Sequence, residues 1–433
     1  MTAADASAAV CLDVGSTWTK AVLVRSDGGL AGFAEHPTTA ADVLAGVDAA
    51  VGAVVAADPA ATSPTVLACS SAGGGLRLAV VGTDRLAAVE AAHRVARSAG
   101  SRVVHVHAGP LSTADVRTLR ASRPGVLLLT GGADGDNPAP LLHNAARLAR
   151  ARVRFPIVLA GNAAARDDAV ALLSATGRTV VACTNVAPRR GELVPGPARA
   201  AVAELYARQV VGGRGSAAAP RFRRMVRVGT PEAVGSGAAV LARMLGARVL
   251  VVDVGCATTD VHRASPVPEP GPSRTVEGDL GMRSAAAGVL VEGQVEGVVD
   301  PVEADLLGPT VERMTSEVGY VPCDAGSAAE DRRIAALAAV LAVRRHRVAQ
   351  EAAGHSLADV GLLVLTGGVF RRPDANGLSA VVATLRADDV LAPLLADARV
   401  AVDADFTVTP AGLLAAAGHT DAARTLLADH LLG

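Results

Sequence analysis

The sequence contains very few lysines and aromatic residues. Of its 41 basic residues only Lys20 is a lysine, and aromatic side chains make up 2% of the 433 residues. Hydrophobic residues still account for 50% of the chain, so its cores must be built mainly from Ala, Val and Leu. At this length the chain exceeds one ordinary core, and we expect two or three domains.

Several classes of function are disfavoured by what is missing. A net charge of −1 gives no basic footprint for nucleic acid. Apolar runs such as 333–343 are too short to cross a bilayer, and the N-terminus lacks the basic region of a signal peptide. The five cysteines are scattered without a C-x-x-C, which argues against a local zinc or iron–sulfur site and fits a reducing compartment. We therefore expect a soluble cytoplasmic protein with no nucleic-acid or membrane partner.

The first part of the chain reads as a hairpin followed by α/β alternation. Strands are predicted at 9–14, 20–26, 30–36 and 65–69, with a helix at 39–57 capped by Thr38 or Thr39. Between 76 and 210, near-continuous apolar strands alternate with helices, which indicates a doubly wound parallel sheet. The predicted strand and helix pairs there are 76–82 with 84–99, 102–106 with 112–121, 125–130 with 138–151, 156–160 with 163–176, and 178–183 with 197–209.

The second half repeats the beginning. A linker at 211–219 precedes a helix near 231–246 and a strand at 248–254, which enters a second hairpin. After a proline-rich loop at 265–273 come a strand at 274–277, helices including 331–352, and a strand at 361–366. The two hairpins mark related halves of one fold.

The hairpins share a motif. The first reads D-V-G-S-T-W-T-K (13–20) and the second D-V-G-C-A-T-T-D (253–260). A tight strand–turn–strand of small residues exposes backbone N–H groups, and Gly15 and Gly255 allow a phosphate to approach closely. Two such loops facing one another would clamp a polyphosphate. Taken singly, each is as readily an ordinary hairpin with a glycine turn; the pairing favours the phosphate interpretation.

Acidic residues and a third glycine motif extend this pattern. Asp13 and Asp253 stand at strand ends, where a carboxylate can hold hydrated Mg²⁺, although either may simply cap its turn. Gly367 and Gly368, within L-T-G-G-V-F, follow a strand and suit close packing against a nucleotide at the start of a helix. The set predicts an ATP site with Mg²⁺.

These segments resemble the two phosphate motifs and the adenosine motif of the actin/hexokinase/heat-shock-chaperone ATPases. Lys20 stands at the place of the phosphate lysine in the actin-type first motif. In the second motif, which is similar to the chaperone form, Thr258 and Asp260 match and Cys256 replaces a glycine. The resemblance implies an α/β, actin-like ATPase fold of two ribonuclease-H-like lobes.

A narrower resemblance covers the chain from its start to about residue 420. It is similar to the glutamate mutase accessory family known as MutL or GlmL, whose role is implied to be a chaperone-like ATPase that assembles or reactivates adenosylcobalamin-dependent mutases. A mutase subunit is therefore the expected partner. The carrying motifs are D-V-G-S-T-W-T-K, T-G-G-A-D-G-D-N (130–137), V-G-T-P (228–231), V-E-G-D-L-G-M-R (276–283) and L-T-G-G-V-F.

Candidate roles follow from the motifs and from this resemblance. Asp13, Asp253 and Asp260 are the catalytic candidates; the first two would hold Mg²⁺ through water, and Asp260 would position the attacking water or be a second partner of Mg²⁺. Roles for Glu277, Asp279 and Arg283 stay open between nucleotide contact, coupling of the lobes and a structural turn. The candidate ATP-binding residues are Gly15, Ser16, Thr17, Lys20, Gly255, Cys256, Thr258, Thr259, Gly367 and Gly368.

Three segments are expected: 1–75 as the first part of lobe I, 76–210 as an inserted flavodoxin-like domain, and 211–433 as the remainder of the core including lobe II. The inserted domain lacks the D-x-H-x-x-G cobalamin motif, so we predict no cobalamin binding there. Our hypothesis is that it is a partner-recognition domain. Two alternatives remain for the whole chain. One is a small-molecule kinase of the same fold, and the other is an ATP-binding scaffold or filament protein. An electron-donating activator of radical dehydratases is disfavoured because cluster cysteines are missing.

Overall fold

In a computed structural model, the chain forms two compact units. One comprises Met1–Gly74 with Val210–Gly433, and the other Gly75–Gln209. The residues described are 8–39, 42–71, 76–84, 95, 101–198, 201, 202, 205, 220–267, 269, 273–317, 319–355, 357, 359–371 and 375–433. The predicted linker 211–219, most of the predicted helices 84–99 and 197–209, and parts of the loops at 70–75 and 265–273 lie outside them.

The strands of the first unit are β1 Ala9–Val14, β2 Trp18–Val24, β3 Leu30–Pro37, β4 Thr65–Ser70, β10 Val226–Gly229, β11 Arg248–Val254, β12 Thr259–Ala264, β13 Arg274–Glu277, β14 Val360–Thr366 and β15 Arg399–Val402. Its helices are α1 Val43–Ala57, α5 Pro220–Met225, α6 Thr230–Leu245, α7 Ala286–Val295, α8 Pro301–Ser316, α9 Ala325–Ala352, α10 Ala375–Ala387, α11 Val408–Ala416 and α12 Thr420–Leu427. Short 3₁₀ and π turns span Gly368–Phe370 and Ala428–Leu432.

The ten strands of this unit form two sheets of the same topology. Their orders are β3-β2-β1-β4-β10 and β13-β12-β11-β14-β15. In each, three antiparallel strands are followed by two parallel ones. The predicted α/β fold with two similar lobes is confirmed, because the repeat seen in the two D-V-G hairpins extends to whole sheets.

Apolar side chains from both sheets meet in one core. Cys11 and Val22 of the first sheet share a buried cluster with Val251 and Val364 of the second, together with residues of α6, α11 and α12. Glycine allows close helix packing there, since a Cβ on Gly412 would lie 1.8 Å from the Ala233 carbonyl oxygen. The two hairpins are thus carried on sheets that share a core.

One helix start was predicted wrongly. The helix after β3 begins at Val43, and its N-cap is Asp42, whose carboxylate accepts from the backbone N–H groups of Leu44 and Ala45. The hydroxyl of Thr38 instead contacts that of Thr19 at 2.8 Å, and Thr39 donates to the Asp42 carbonyl. An acidic side chain three residues further along therefore satisfies the free N–H groups.

The second unit contains a parallel sheet of order β6-β5-β7-β8-β9. A buried strand–helix alternation accounts for it, with helices covering the apolar strands. The predicted helix 163–176 begins with a 3₁₀ turn at Ala163–Ala165. The strands are β5 Leu76–Gly82, β6 Ser101–Ala108, β7 Val126–Leu129, β8 Ile157–Leu159 and β9 Val180–Ala182; the helices are α2 Thr113–Ala121, α3 Ala139–Arg150 and α4 Arg166–Ser174. Among the described residues of the whole chain, no helix is long and apolar enough to cross a membrane.

Candidate nucleotide-binding site

The two hairpins place their charged residues at equivalent positions. Asp13 on β1 pairs in register with Lys20 on β2, and Asp253 on β11 pairs with Asp260 on β12. Residues in cross-strand register point to the same face of a sheet, so each hairpin sets an aspartate beside one further charge. One hairpin carries a cation at this second position and the other an anion.

Each turn is closed by a backbone hydrogen bond that requires glycine. Gly15 N–H donates to the Trp18 carbonyl at 3.0 Å, and Gly255 N–H to the Thr258 carbonyl at 2.9 Å. A Cβ would lie 2.6 Å from the acceptor oxygen in the first turn and 2.9 Å in the second. The glycines therefore permit the tight turn itself, in addition to the predicted approach of a phosphate.

Asp13 is held by two residues to which the sequence assigned no role. The carboxylate is 3% exposed, and its Oδ1 accepts from the Thr230 hydroxyl at 2.6 Å and from the Cys69 thiol at 3.6 Å. Its Oδ2 lies 3.4 Å from Lys20 Nζ. Thr230 belongs to V-G-T-P, a motif that marked the family resemblance without suggesting this contact.

Lys20 lies in a second cluster that joins the two sheets. Its ammonium is 4.9 Å from the centroid of the Phe406 ring, a cation–π distance. The guanidinium of Arg371 stacks on the same ring at 5.8 Å and on Phe33 at 5.4 Å. Arg371 also donates to Glu35 at 2.5 Å, and Glu35 is the register partner of Lys20 on β3. The arginine stands three residues after the glycine pair, so a second cation lies beside the predicted site.

Asp253 responds to charges from both hairpins. The pKa of its carboxyl is raised to about 6, chiefly by burial; Lys20 and Arg371 lower it, and the carboxylates of Asp13 and Asp403 also raise it. Lys20 and Asp13 of the first hairpin therefore lie close enough to Asp253 of the second to affect its pKa.

Asp260 is buried deeper in the second hairpin. Burial raises its pKa to about 7, opposed by Arg274, and its Oδ1 has no hydrogen-bond partner among the described residues. The Thr258 side chain hydrogen-bonds the same carboxyl group. The unpaired Oδ1 of Asp260 lies on the strand position opposite Asp253, whose carboxyl has a raised pKa. Two such carboxyl groups could bind a cation in this region. The described residues contain no group of three or more ligating side chains, so such a cation would depend on water and phosphate oxygens.

The remaining site residues surround these carboxylates. Ser16, Thr17 and Cys256 are half-buried in the two turns. Thr259 is fully buried, and its hydroxyl donates to the Leu280 carbonyl at 2.6 Å, which gives it a structural partner. Gly367 has a φ of 130° and would place a Cβ 2.3 Å from the Val254 carbonyl oxygen. Gly368 then opens a 3₁₀ turn where the start of a helix was expected.

The segment 276–283 lies against the second hairpin. Met282 and Arg283 donate backbone N–H bonds to the carbonyls of Gly255 and Cys256, both at 2.9 Å. The Arg283 side chain pairs with Asp331 on α9 at 3.1 Å. This segment therefore connects the turn after Asp253 to the long helix.

Glu277 and Asp279 bind a single arginine of α9. Arg345 lies 3.1 Å from Glu277 and 3.0 Å from Asp279, and α7 contributes Glu292 at 3.0 Å and Glu296 at 2.9 Å. Burial disfavours the charged form, but the carboxylates of Asp279, Glu277 and Glu296 raise the pKa of Arg345 above its ordinary value. These contacts tie Glu277, Asp279 and Arg283 to α7 and α9, while the choice among nucleotide contact, coupling of the lobes and a structural turn stays open.

Comparison with known proteins gives a family and several structural neighbours. Residues 9–431 match the model of a family described as MutL protein. Protein MutL of Clostridium tetanomorphum is 35% identical over 296 residues, which are 64% of this chain and 64% of that protein. The chain thus matches less than two thirds of the length of this curated relative.

The solved structures are far more distant. An ATP-dependent caprolactamase from Pseudomonas jessenii is 14% identical, with 96% of this chain and 70% of that chain covered and a TM-score of 0.41. A ROK family glucokinase from Streptomyces griseus, solved with glucose and AMPPNP, is 12% identical, with 97% and 98% covered and a TM-score of 0.35. At such values the likeness assigns no role to any residue.

Proposed function

Because the chain belongs to the MutL protein family, we propose that it is an ATP-binding accessory factor that assembles or reactivates an adenosylcobalamin-dependent mutase of the glutamate mutase type in the cytoplasm. The observation that carries the ATP assignment is the meeting of the motifs: Lys20 of the first hairpin and Arg371, which follows the Gly367-Gly368 pair, lie against the same Phe406 ring. Two glycine turns with these charges suit a polyphosphate bound between them.

The first hairpin would supply the positive charge. The Lys20 ammonium neutralises β- or γ-phosphate oxygens, a task suited to a compact cation with three donors. Ser16, Thr17 and the backbone N–H groups of this turn offer further hydrogen bonds. Thr230 keeps the Asp13 carboxylate fixed beside the lysine through its 2.6 Å bond.

The carboxylates would hold Mg²⁺. Asp13 and Asp253 are the residues that bind it, through water, and the ion supplies charge neutralisation of the phosphates when bound. Asp260, with its unpaired Oδ1, orients the attacking water. Because this chemistry relies on positioning and electrostatics, we expect slow ATP turnover.

Partner recognition is assigned to the inserted unit, Gly75–Gln209. In a doubly wound sheet, ligands and partners meet the loops that follow the strands. The loop T-G-G-A-D-G-D-N follows β7 at such an edge. We assign it no cobalamin ligand.

Lys20→Ala tests the nucleotide site. We expect ATP affinity to fall roughly 10- to 100-fold, because a charged hydrogen bond to phosphate contributes about 1.5–3 kcal/mol. Isothermal titration calorimetry with Mg-ATP measures this, and Arg25→Ala is the matched control, since Arg25 is an exposed ion-pair residue at the end of β2 away from the turn. Unchanged affinity in Lys20→Ala would overturn the first phosphate assignment.

The same two variants test the accessory role. Purified mutase subunits should co-purify with wild-type protein and with Arg25→Ala in a manner that depends on Mg-ATP, and Lys20→Ala should lose that dependence. ATP binding without mutase association would refute the partner and leave the nucleotide site intact. Turnover that requires a particular sugar or acid would instead identify a kinase.

A further inference from the structure

Helices α7 and α8 expose four large aliphatic side chains. Val291 and Val295 are 56% and 76% exposed, and Val302 and Leu306 are 70% and 71% exposed. Each pair is spaced by four residues, so each forms a stripe on its helix. Exposed aliphatics grouped in this way are typical of interaction surfaces, whereas single ones are ordinary.

The two stripes belong to consecutive helices that pack on the same core. The opposite faces of both helices, with Val289 of α7 and Leu307 of α8 among them, enter the same buried core, which also contains α9. The helices are joined by a short turn in which Val298 and Val299 donate to the Gly293 carbonyl. We name the surface formed by Val291, Val295, Val302 and Leu306 the aliphatic face.

The surroundings of the aliphatic face are acidic. The stretch 284–316, which contains both helices, has six carboxylates and one basic residue, Arg313. Two of these carboxylates, Glu292 and Glu296, pair with Arg345, which Glu277 and Asp279 also contact. A complementary partner therefore combines an apolar stripe with basic residues.

The aliphatic face is joined to the nucleotide site by a continuous set of contacts. The segment 276–283 bonds to the turn carbonyls of Gly255 and Cys256 at one end. At the other end its Glu277 and Asp279 meet, on Arg345, the two glutamates of α7. A Cβ on Gly288 of α7 would lie 2.0 Å from the Asp279 carbonyl oxygen, so this helix and the segment pack without a gap.

We propose that the aliphatic face is a docking surface for a partner protein that presents an amphipathic helix with an apolar stripe flanked by basic residues. The inference rests on the proposed function only in taking that partner to be the client whose binding ATP controls. The face belongs to the first unit and is distinct from the inserted unit assigned to partner recognition. Charge selects the helix, and the aliphatic side chains bind its apolar stripe.

A designed peptide tests this surface without knowledge of the natural partner. The probe is a fluorescein-labelled helix of about 18 residues with Leu at i, i+3 and i+4 and Lys on its remaining face. Its match carries Glu in place of each Lys. Fluorescence anisotropy should show the Lys peptide binding to the full chain and the Glu peptide binding at least roughly tenfold more weakly.

Charged substitutions then locate the binding. Val295→Glu with Leu306→Glu should weaken the Lys peptide at least roughly tenfold, since each places a charge in an apolar contact. The control is Leu172→Glu, an exposed leucine on α4 that is 39% accessible. Val291→Gln with Val302→Gln is a milder second pair, and Mg-ATP affinity measured on every variant should stay unchanged, which separates this surface from the nucleotide site.

Three results would overturn the proposal. The first is equal binding of the Lys and Glu peptides, and the second is Lys-peptide binding that neither double variant weakens. The third is a dimer of the wild-type chain in sedimentation velocity that Val295→Glu with Leu306→Glu abolishes, because the face would then bind a second copy. A loss of ATP affinity in Lys20→Ala has no bearing on these outcomes.

Discussion

A buried carboxylate such as Asp13 is stable only when donors surround it. Thr230, Cys69 and Lys20 all contact its two oxygens, and they come from three different segments of the chain. Phe406 shows a related dependence: its φ of 55° lies in the left-handed region, and its ring lies against both Lys20 and Arg371. Strain of this kind persists where neighbouring contacts fix the residue.

Removal of the Thr230 hydroxyl tests its role in holding Asp13. In Thr230→Val, one oxygen of a carboxylate that is 3% exposed loses its shortest hydrogen bond. We expect a loss of about 2 kcal/mol in the free energy of unfolding and a roughly tenfold weaker Mg-ATP affinity. Urea denaturation followed by Trp18 fluorescence, together with calorimetry, measures both. Thr230→Ser keeps the donor and should behave like wild type; if both variants are normal, Thr230 has no positioning role.

At the scale of elements, the two hairpins have the same backbone structure but carry different charges. Both turns close in the same way, yet one ends in Lys20 and the other in Asp260 at the equivalent position. The second hairpin also receives the segment 276–283, whose Gly281 packs directly on the turn. The two hairpins thus share one scaffold. The first differs by carrying a cation, Lys20, and the second by contacting the segment 276–283, which leads to the helices.

Gly281→Ala should disrupt this contact. A Cβ there would lie 2.3 Å from the carbonyl carbon of Ala257 in the turn, so the segment must move away. We expect a loss of about 1–3 kcal/mol in the free energy of unfolding. Gly52→Ala in α1 is the control, because a Cβ there meets nothing within 4 Å and should stabilise the helix by up to about 1 kcal/mol. Equal stability of the two variants in urea would contradict the packing argument.

At the scale of the whole molecule, buried histidines make folding depend on pH. Burial lowers the pKa of His346 to about 4, with Arg263 contributing, and burial likewise lowers that of His262. His346 contacts the Thr275 hydroxyl at 2.9 Å and Gln350 at 3.2 Å. Asp253 and Asp260, whose pKa values are raised, act in the opposite direction, so the two effects must be separated by mutation.

His346→Gln isolates the histidine contribution. Since the folded pKa lies below the ordinary value of about 6.5, the unfolded chain binds the additional proton between pH 6.5 and 4. The stability that wild type gains from neutral His346 is complete above pH 6.5 and is lost as the pH falls, by up to about 3 kcal/mol. Urea denaturation at several pH values should therefore show the difference between wild type and His346→Gln shrinking toward pH 4. A constant difference would mean that His346 is not buried neutral.

The sequence by itself determined the two hairpins, most strand positions and the doubly wound unit, because turn glycines and apolar periodicity are local signals. It also drew attention to Lys20, the one lysine among arginines, whose phosphate-binding role stays a prediction. It misplaced the cap of α1, where Thr38, Thr39 and Asp42 all have capping side chains and only the path of the chain selects one. Thr230, Arg371 and Phe406 could not be found in this way, because their contacts with Asp13 and Lys20 depend on segments far apart in the chain meeting at the first hairpin. Tertiary structure decided those contacts, the four-carboxylate binding of Arg345 and the exposure of α7 and α8, since packing and burial are properties of the assembled core.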